Sequence, residues 1–145
     1  MKILEVNNIS KNFKNEEVLK DISFDLDSGE TLCIIGPSGG GKTTLLRCLN
    51  YLELANKGQI LINGENYFDA SNTKLKEEDI RKKRSHFGLV FQNFNLFPQY
   101  TVFENITLAM KLAKKENIEE TALTLLDKLG LKNKNNSIQQ SLFED

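Results

Sequence analysis

Thr31-Leu-Cys-Ile-Ile-Gly-Pro-Ser-Gly-Gly-Gly-Lys-Thr-Thr-Leu-Leu-Arg-Cys-Leu49 is the stretch on which the reading of this 145-residue chain turns. Its first five residues form a short apolar run of the type that fills a strand buried on both faces. Its last seven, from Thr43 to Leu49, place apolar residues at helical spacing. Between them, Gly36-Pro-Ser-Gly-Gly-Gly-Lys42-Thr43 matches the phosphate-binding pattern G-x-x-x-x-G-K-[ST] in full. Glycines let the backbone wrap closely enough for successive N–H groups to point at one anion, and the positive end of the following helix adds to that field. Lys42 offers a compact cation to terminal phosphates, and the Thr43 hydroxyl is a hard oxygen suited to Mg²⁺. By average composition the pattern arises by chance in about one chain of this length in a few hundred. A merely flexible Gly-rich turn is the alternative, and the strand-to-helix setting argues against it.

Working outward, Ile3, Val6 and Ile9 alternate with Glu5 and Asn7, which predicts an opening strand over residues 2–9. Val18-Leu19 and residues 23–26 read as two further strands split by Lys20-Asp21, and Asp27-Ser-Gly-Glu30 reads as a turn. Gly58-Gln-Ile-Leu-Ile62 followed by Asn63-Gly64 predicts a strand entering a tight hairpin. Residues 87–91 predict another buried strand. Farther on, Thr101-Val-Phe-Glu104 is a capping box opening a helix whose stripe is Val102, Ile106, Ala109 and Ala113. Asn117 with Glu120 starts a second helix, with Ile118, Ala122, Leu125 and Leu129 as its stripe and Gly130 as its stop.

Composition excludes several classes. The chain is 39% hydrophobic and 27% charged, with 19 Lys and Arg against 20 Asp and Glu, so no bulk charge draws it to nucleic acid or an anionic membrane. No apolar run nears the roughly 20 residues of a membrane helix, and charged and polar residues recur from Lys2 onward, unlike a leader peptide. A soluble, cytoplasmic protein is therefore expected. Cys33 and Cys48, the two cysteines, are expected to be small buried hydrophobes rather than a disulfide.

A phosphate loop alone does not choose among kinases, GTPases, motors and transport ATPases. The neighbouring residues narrow the choice. Lys11-Asn-Phe13, Val18-Leu-Lys-Asp-Ile-Ser-Phe24, Gly29-Glu30, Gly58-Gln-Ile-Leu-Ile-Asn-Gly64 and Leu89-Val-Phe-Gln92 together resemble the nucleotide-binding subunit of ABC transporters. The resemblance runs from about Lys2 to Leu131. Gln92-Asn-Phe-Asn-Leu-Phe-Pro98 with Thr101-Val-Phe-Glu-Asn105 is most similar to the branch that energises uptake of polar amino acids.

The resemblance implies an α/β fold: an ABC-type P-loop NTPase core with an N-terminal antiparallel β segment and the beginning of a helical subdomain, incomplete at its C-terminus. Residues 1–92 would be the core part, 93–131 the start of the helical subdomain and 132–145 a divergent, disordered or frameshifted tail. It implies nucleotide binding by Phe13, Val18, Gly36, Pro37, Ser38, Gly39, Gly40, Gly41, Lys42, Thr43 and Thr44. Lys42 and Gln92 would be catalytic, with Thr43 and Gln92 at the metal. Phe13 would stack on adenine; without the resemblance, core packing is the simpler reading of one Phe among nine. The implied cofactors are ATP and Mg²⁺. The implied partners are permease subunits in the membrane, a second copy of the subunit and, indirectly, an extracytoplasmic solute-binding protein, with no nucleic acid. The implied location is peripheral, on the cytoplasmic face of the cell membrane.

Departures from the family pattern are equally visible. The 145 residues hold no Leu-Ser-Gly-Gly-Gln signature, no apolar strand ending in Asp-Glu and no later switch histidine; His86 does not match that role. Phosphoryl transfer needs several such parts at once, so nucleotide binding without turnover is expected. Ser137-Ile-Gln-Gln-Ser141 stands where the family continues Tyr-Pro, and permitted codons shifted by one base would read Tyr-Pro-Ala-Glu, which suggests a frameshift near residues 132–137. The charge-rich residues 74–84, with Arg81-Lys-Lys-Arg84, interleave Glu77, Glu78 and Asp79 and read as a solvated helix rather than a nucleic-acid footprint. The alternatives left open are a non-hydrolysing nucleotide-binding or permease-docking module, a non-transport ABC ATPase and, more distantly, a P-loop kinase.

Overall fold

The structure, a computed structural model, describes residues 1–72, 74–92, 95–134 and 136–137. They form two compact units, one of residues 1–89 and one beginning at Val90.

The first unit is built on an antiparallel sheet. β1 (Lys2–Phe13) and β2 (Glu16–Asp27) are joined by the two-residue loop Lys14-Asn15. β3 (Lys57–Ile62) lies on the other side of β1, and β4 (Glu65–Asp69) closes the order β2-β1-β3-β4. Leu4 pairs with Leu26 and Ile62, and Val6 with Phe24 and Ile60. Asn63 and Gly64 both adopt positive φ, 51° and 79°, the backbone that a tight hairpin with native twist demands.

β2 is a single strand, not the two expected. Between the pairs Ile9↔Ile22 and Lys11↔Leu19 it carries one extra residue, and Asp21 takes φ 51°. The Asp21 N–H donates to Ser10 Oγ at 3.0 Å, so the polar Lys20-Asp21 pair is absorbed as a bulge.

Helix α1 (Lys42–Leu49) packs Leu45, Cys48 and Leu49 into a core with Leu4, Val6, Ile9, Leu19, Ile60 and Phe68. Tyr51 meets Tyr67 edge-on at 5.3 Å between centroids. Helix α2 (Glu77–Arg84) buries no residue, as a solvated helix should. Half of its basic cluster is nonetheless tied down. Lys83 Nζ lies 5.5 Å and 5.2 Å from the Tyr51 and Tyr67 ring centroids, and Arg84 Nε donates to the Tyr51 carbonyl at 3.1 Å.

Two expected strands are absent. Residues 31–35 and 87–91 belong to no strand, and the single sheet among the described residues does not include them. Ile35 is 88% exposed and Val90 92%. A parallel strand is held by neighbours on both edges and layers on both faces, and none of the described segments supplies those neighbours. One consequence corrects the cysteine reading: Cys48 is buried, but Cys33, within the unpaired run, is exposed.

In the second unit, α3 (Val102–Leu112) starts at a complete capping box. The Glu104 N–H donates to Thr101 Oγ1 at 3.1 Å, and the Thr101 N–H donates to Glu104 Oε2 at 2.8 Å. These Thr101 bonds hold the Glu104 carboxyl below its usual range. α3 packs on α4 (Ile118–Lys128) with stripes different from those expected. Thr107, Ala122 and Leu126 are buried, whereas Ala109, Ala113, Leu125 and Leu129 are exposed. Apolar spacing marks a helix face without saying which edge of it meets the neighbour. The tail expected to be disordered begins in order: Lys132–Lys134 form a 3₁₀ turn, and the Val102 N–H donates to the Ser137 carbonyl at 3.0 Å. Residues 138–145, which carry most of the proposed frameshifted segment, lie outside the described residues.

Candidate functional site

The phosphate-binding pattern folds as a tight loop running into α1. A turn bonds the Gly40 N–H to the Pro37 carbonyl at 3.1 Å, and Gly39 and Gly41 take φ 78° and 80°. Gly41 is required twice over. Besides its positive φ, a Cβ there would lie 2.8 Å from the Val18 carbonyl oxygen and 3.0 Å from Leu19 Cδ2. Val18, half-buried on β2, is thereby set against the loop, with backbone lying on backbone.

Gly41 is also the N-cap of α1, and it has no side chain to accept from the first turn. No acidic residue stands in that turn either. The N-terminal N–H groups of α1 are therefore left to an external acceptor, and the helix end is positive. Lys42 adds its charge at the same place: Nζ donates to the Gly36 carbonyl at 2.8 Å and to the Pro37 carbonyl at 2.6 Å. Ser38 is exposed on the loop, Thr43 is exposed on the first turn of α1, and Thr44 beside it is half-buried. The donors, the cation and the hydroxyl oxygen suit a polyphosphate with a divalent cation. Among the described residues no group of three or more His, Cys, Asp or Glu could hold a metal. Such a cation would rest on hydroxyl, amide and phosphate oxygens.

Beside the loop is a cavity of about 350 Å³ lined by Leu19, Ile22, Phe24, Ile34 and Leu45 together with Gly40, Gly41 and Lys42. Its walls are mainly apolar, so it suits hydrocarbon rather than phosphate. It lies beside the unpaired residues 31–35, several of which line it.

Phe13 stands at the end of β1, 44% exposed. Lys11 Nζ lies 4.9 Å from its ring centroid, while donating to Glu53 Oε1 at 2.6 Å and to the Leu54 carbonyl at 2.7 Å. Nothing in the local sequence signals this contact, because Lys11 and Glu53 are 42 positions apart. Gln92 is exposed in a turn of the second unit. The structure thus brings Val18, residues 36–41, Lys42 and the first turn of α1 into one local site, with Phe13 on the same sheet and Gln92 in the other unit.

A family model described as ABC transporter matches residues 19–144. The chain is 44% identical over 138 residues to a probable amino-acid ABC transporter ATP-binding protein of Haemophilus influenzae, covering 92% of this chain and 53% of that one. It is 45% identical over 143 residues to the arginine transport ATP-binding protein ArtM of Bacillus subtilis, covering 97% of this chain and 57% of that one. Among solved structures, cbiO1 of Clostridium perfringens, part of an ABC transporter complex, is similar in fold with a TM-score of 0.77 at 24% identity, over 96% of this chain and 55% of that one. The dimeric ATP-binding cassette MJ0796, in a post-hydrolysis state with ADP and Pi, has a TM-score of 0.75 at 27% identity, over 95% and 62%. The chain spans about half the length of the curated relatives it matches.

Proposed function

The chain belongs to the ABC transporter family, and from that premise we propose that it is the nucleotide-binding portion of an ATP-binding subunit serving amino-acid import. The observation that carries the reading is the loop at α1: two glycines at positive φ, an uncapped helix start and Lys42 Nζ at the loop's mouth. Support for the cargo class comes from relatives named for amino-acid, arginine, cystine and glutamine transport. Polar amino acids are the finer form of the proposal.

Each residue then has a task. The loop N–H groups and Lys42 hold the phosphates, and Phe13 takes the base on its exposed face. Thr43 and Gln92 would hold Mg²⁺, which neutralises charge between phosphates. Gln92 would also orient water through its neutral amide. Of the parts that phosphoryl transfer needs together, these residues supply the phosphate loop, Lys42, Thr43 and Gln92, and nucleotide binding is the task they carry in this reading. In the whole family protein, two such subunits would close on ATP and drive permease subunits from the cytoplasmic face of the membrane. No helix among the described residues is long and apolar enough to cross a membrane.

Calorimetric titration with Mg-ATP tests the binding. Lys42→Ala removes a charge-assisted contact of about 1.5–3 kcal/mol, so the dissociation constant should rise roughly ten- to a hundredfold. An unchanged constant refutes the site.

A further inference from the structure

We propose that Lys11 is a positioning residue for the nucleobase, acting through Phe13. This rests on the reading that Phe13 stacks on the base, and it adds a residue that this reading does not contain. Lys11 is 8% exposed, the one charged residue buried among the described residues. Its ammonium has three protons to place, and two acceptors are fixed: Glu53 Oε1 at 2.6 Å and the Leu54 carbonyl at 2.7 Å. Both belong to the segment after α1, the helix that begins at the phosphate loop. Held there, the cation stands 4.9 Å from the centroid of Phe13, two residues along β1.

Three effects follow from that geometry. First, one face of the ring is taken by the cation, so a planar partner has only the other face to use. Second, a cation against one face draws π density toward itself and leaves the opposite face less negative, which favours an electron-rich purine. Third, the ion pair ties the ring to the far end of α1, so the spacing between base platform and phosphate loop is set through Glu53. Asn12, between Lys11 and Phe13, repeats the tie: its N–H donates to Asn56 Oδ1 at 2.8 Å. Strand end and post-helix segment are thus joined at two successive residues, and the ring lies just beyond.

The test separates base from phosphate by titrating the 145-residue chain with Mg-ATP and with Mg-tripolyphosphate. Phe13→Ala should weaken ATP by roughly tenfold and leave tripolyphosphate unchanged. Lys11→Met should weaken ATP by about two- to fivefold with tripolyphosphate unchanged, and Lys11→Arg should restore it. In the Phe13→Ala background, Lys11→Met should have no further effect. If Lys11→Met weakens both ligands equally, or neither, the inference is overturned while base stacking stands. If Phe13→Ala itself leaves the ratio of the two affinities unchanged, the stacking reading fails, and the inference with it. Should Lys11→Met lose its far-UV circular dichroism, Glu53→Gln replaces it. The same selective loss of ATP affinity then supports the anchored cation, and unchanged ATP affinity overturns it.

Discussion

The four-stranded sheet and residues 31–35 are both apolar segments of one compact unit, yet they end in opposite conditions. β1 is paired on both edges, with β2 and β3, and its Ile9 is fully buried. Residues 31–35 have no strand partner among the described residues, and Ile35 stands 88% exposed. The difference lies in where each segment's partners come from. β1 meets β2 through a two-residue loop, and β3 meets β4 the same way, so those pairings are nearly prepaid by chain connectivity. A parallel strand has no such local partner, since its neighbours must return over a crossover of a dozen residues or more. An apolar run therefore states a demand for burial and leaves open whether it is met.

Substitution of one isoleucine in each region is the sharpest way to break the comparison. Ile9→Ala should lower unfolding free energy by about 3 kcal/mol, through lost burial and the cavity left behind. Ile35→Ala should stay within about 0.5 kcal/mol of the parent in the same urea titration. Equal losses would mean that residues 31–35 are packed as well as the sheet.

The two cysteines sample the same contrast. Burial pushes the Cys48 thiol up to about 11, with Lys11 pulling it weakly the other way, from an ordinary value near 9. The unfolded thiol thus loses its proton first. Stability should be intact below pH 9 and decline between pH 9 and 11, by on the order of 2 kcal/mol from this group. Burial raises Tyr67 and Tyr51 as well, so their share of the alkaline loss has the same sign. Urea midpoints taken from pH 8 to 10.5 should fall more gently in Cys48→Ala. A thiol reagent at pH 8 should modify exposed Cys33 at once and Cys48 only in urea.

The smallest contrast is between two glycines at the junction of the regions. Gly39 and Gly41 share a positive φ, but a Cβ at Gly39 meets nothing within 4 Å, whereas one at Gly41 strikes the Val18 carbonyl. Gly39→Ala should cost about 1 kcal/mol and Gly41→Ala about 2 kcal/mol, read from thermal melts. Matching losses would show that the loop does not lean on β2.

What was legible in the sequence follows the same division. The Asn63-Gly64 hairpin and the Thr101–Glu104 capping box are each written within a few residues, and each forms as expected; the glycine-rich loop runs into its expected helix, but the strand expected before it does not form. Features that need a distant partner were hidden. Residues 31–35 and 87–91 carry strand composition without a strand partner among the described residues. Lys20-Asp21 reads as a break because only the β1 register reveals a bulge. Buried Thr107 against exposed Ala109 and Ala113 depends on where α4 lies. The contact between Lys11 and Glu53 joins positions that no periodicity connects.

The pairing of β1 with β3 bears on the order of folding. Ser10 faces Lys57 across the sheet, so the chain between them is a closed ring that contains β2, the phosphate loop and α1. The sheet's two hairpins, β1–β2 and β3–β4, are microsecond events, whereas closing the ring must first overcome the entropy of the long connection. During synthesis, no ring can close until Lys57 has left the ribosome. From that moment the phosphate loop is no longer a free segment. The segments that flank it are then both tethered to one sheet, through β2 on the entering side and through α1 and β3 on the leaving side.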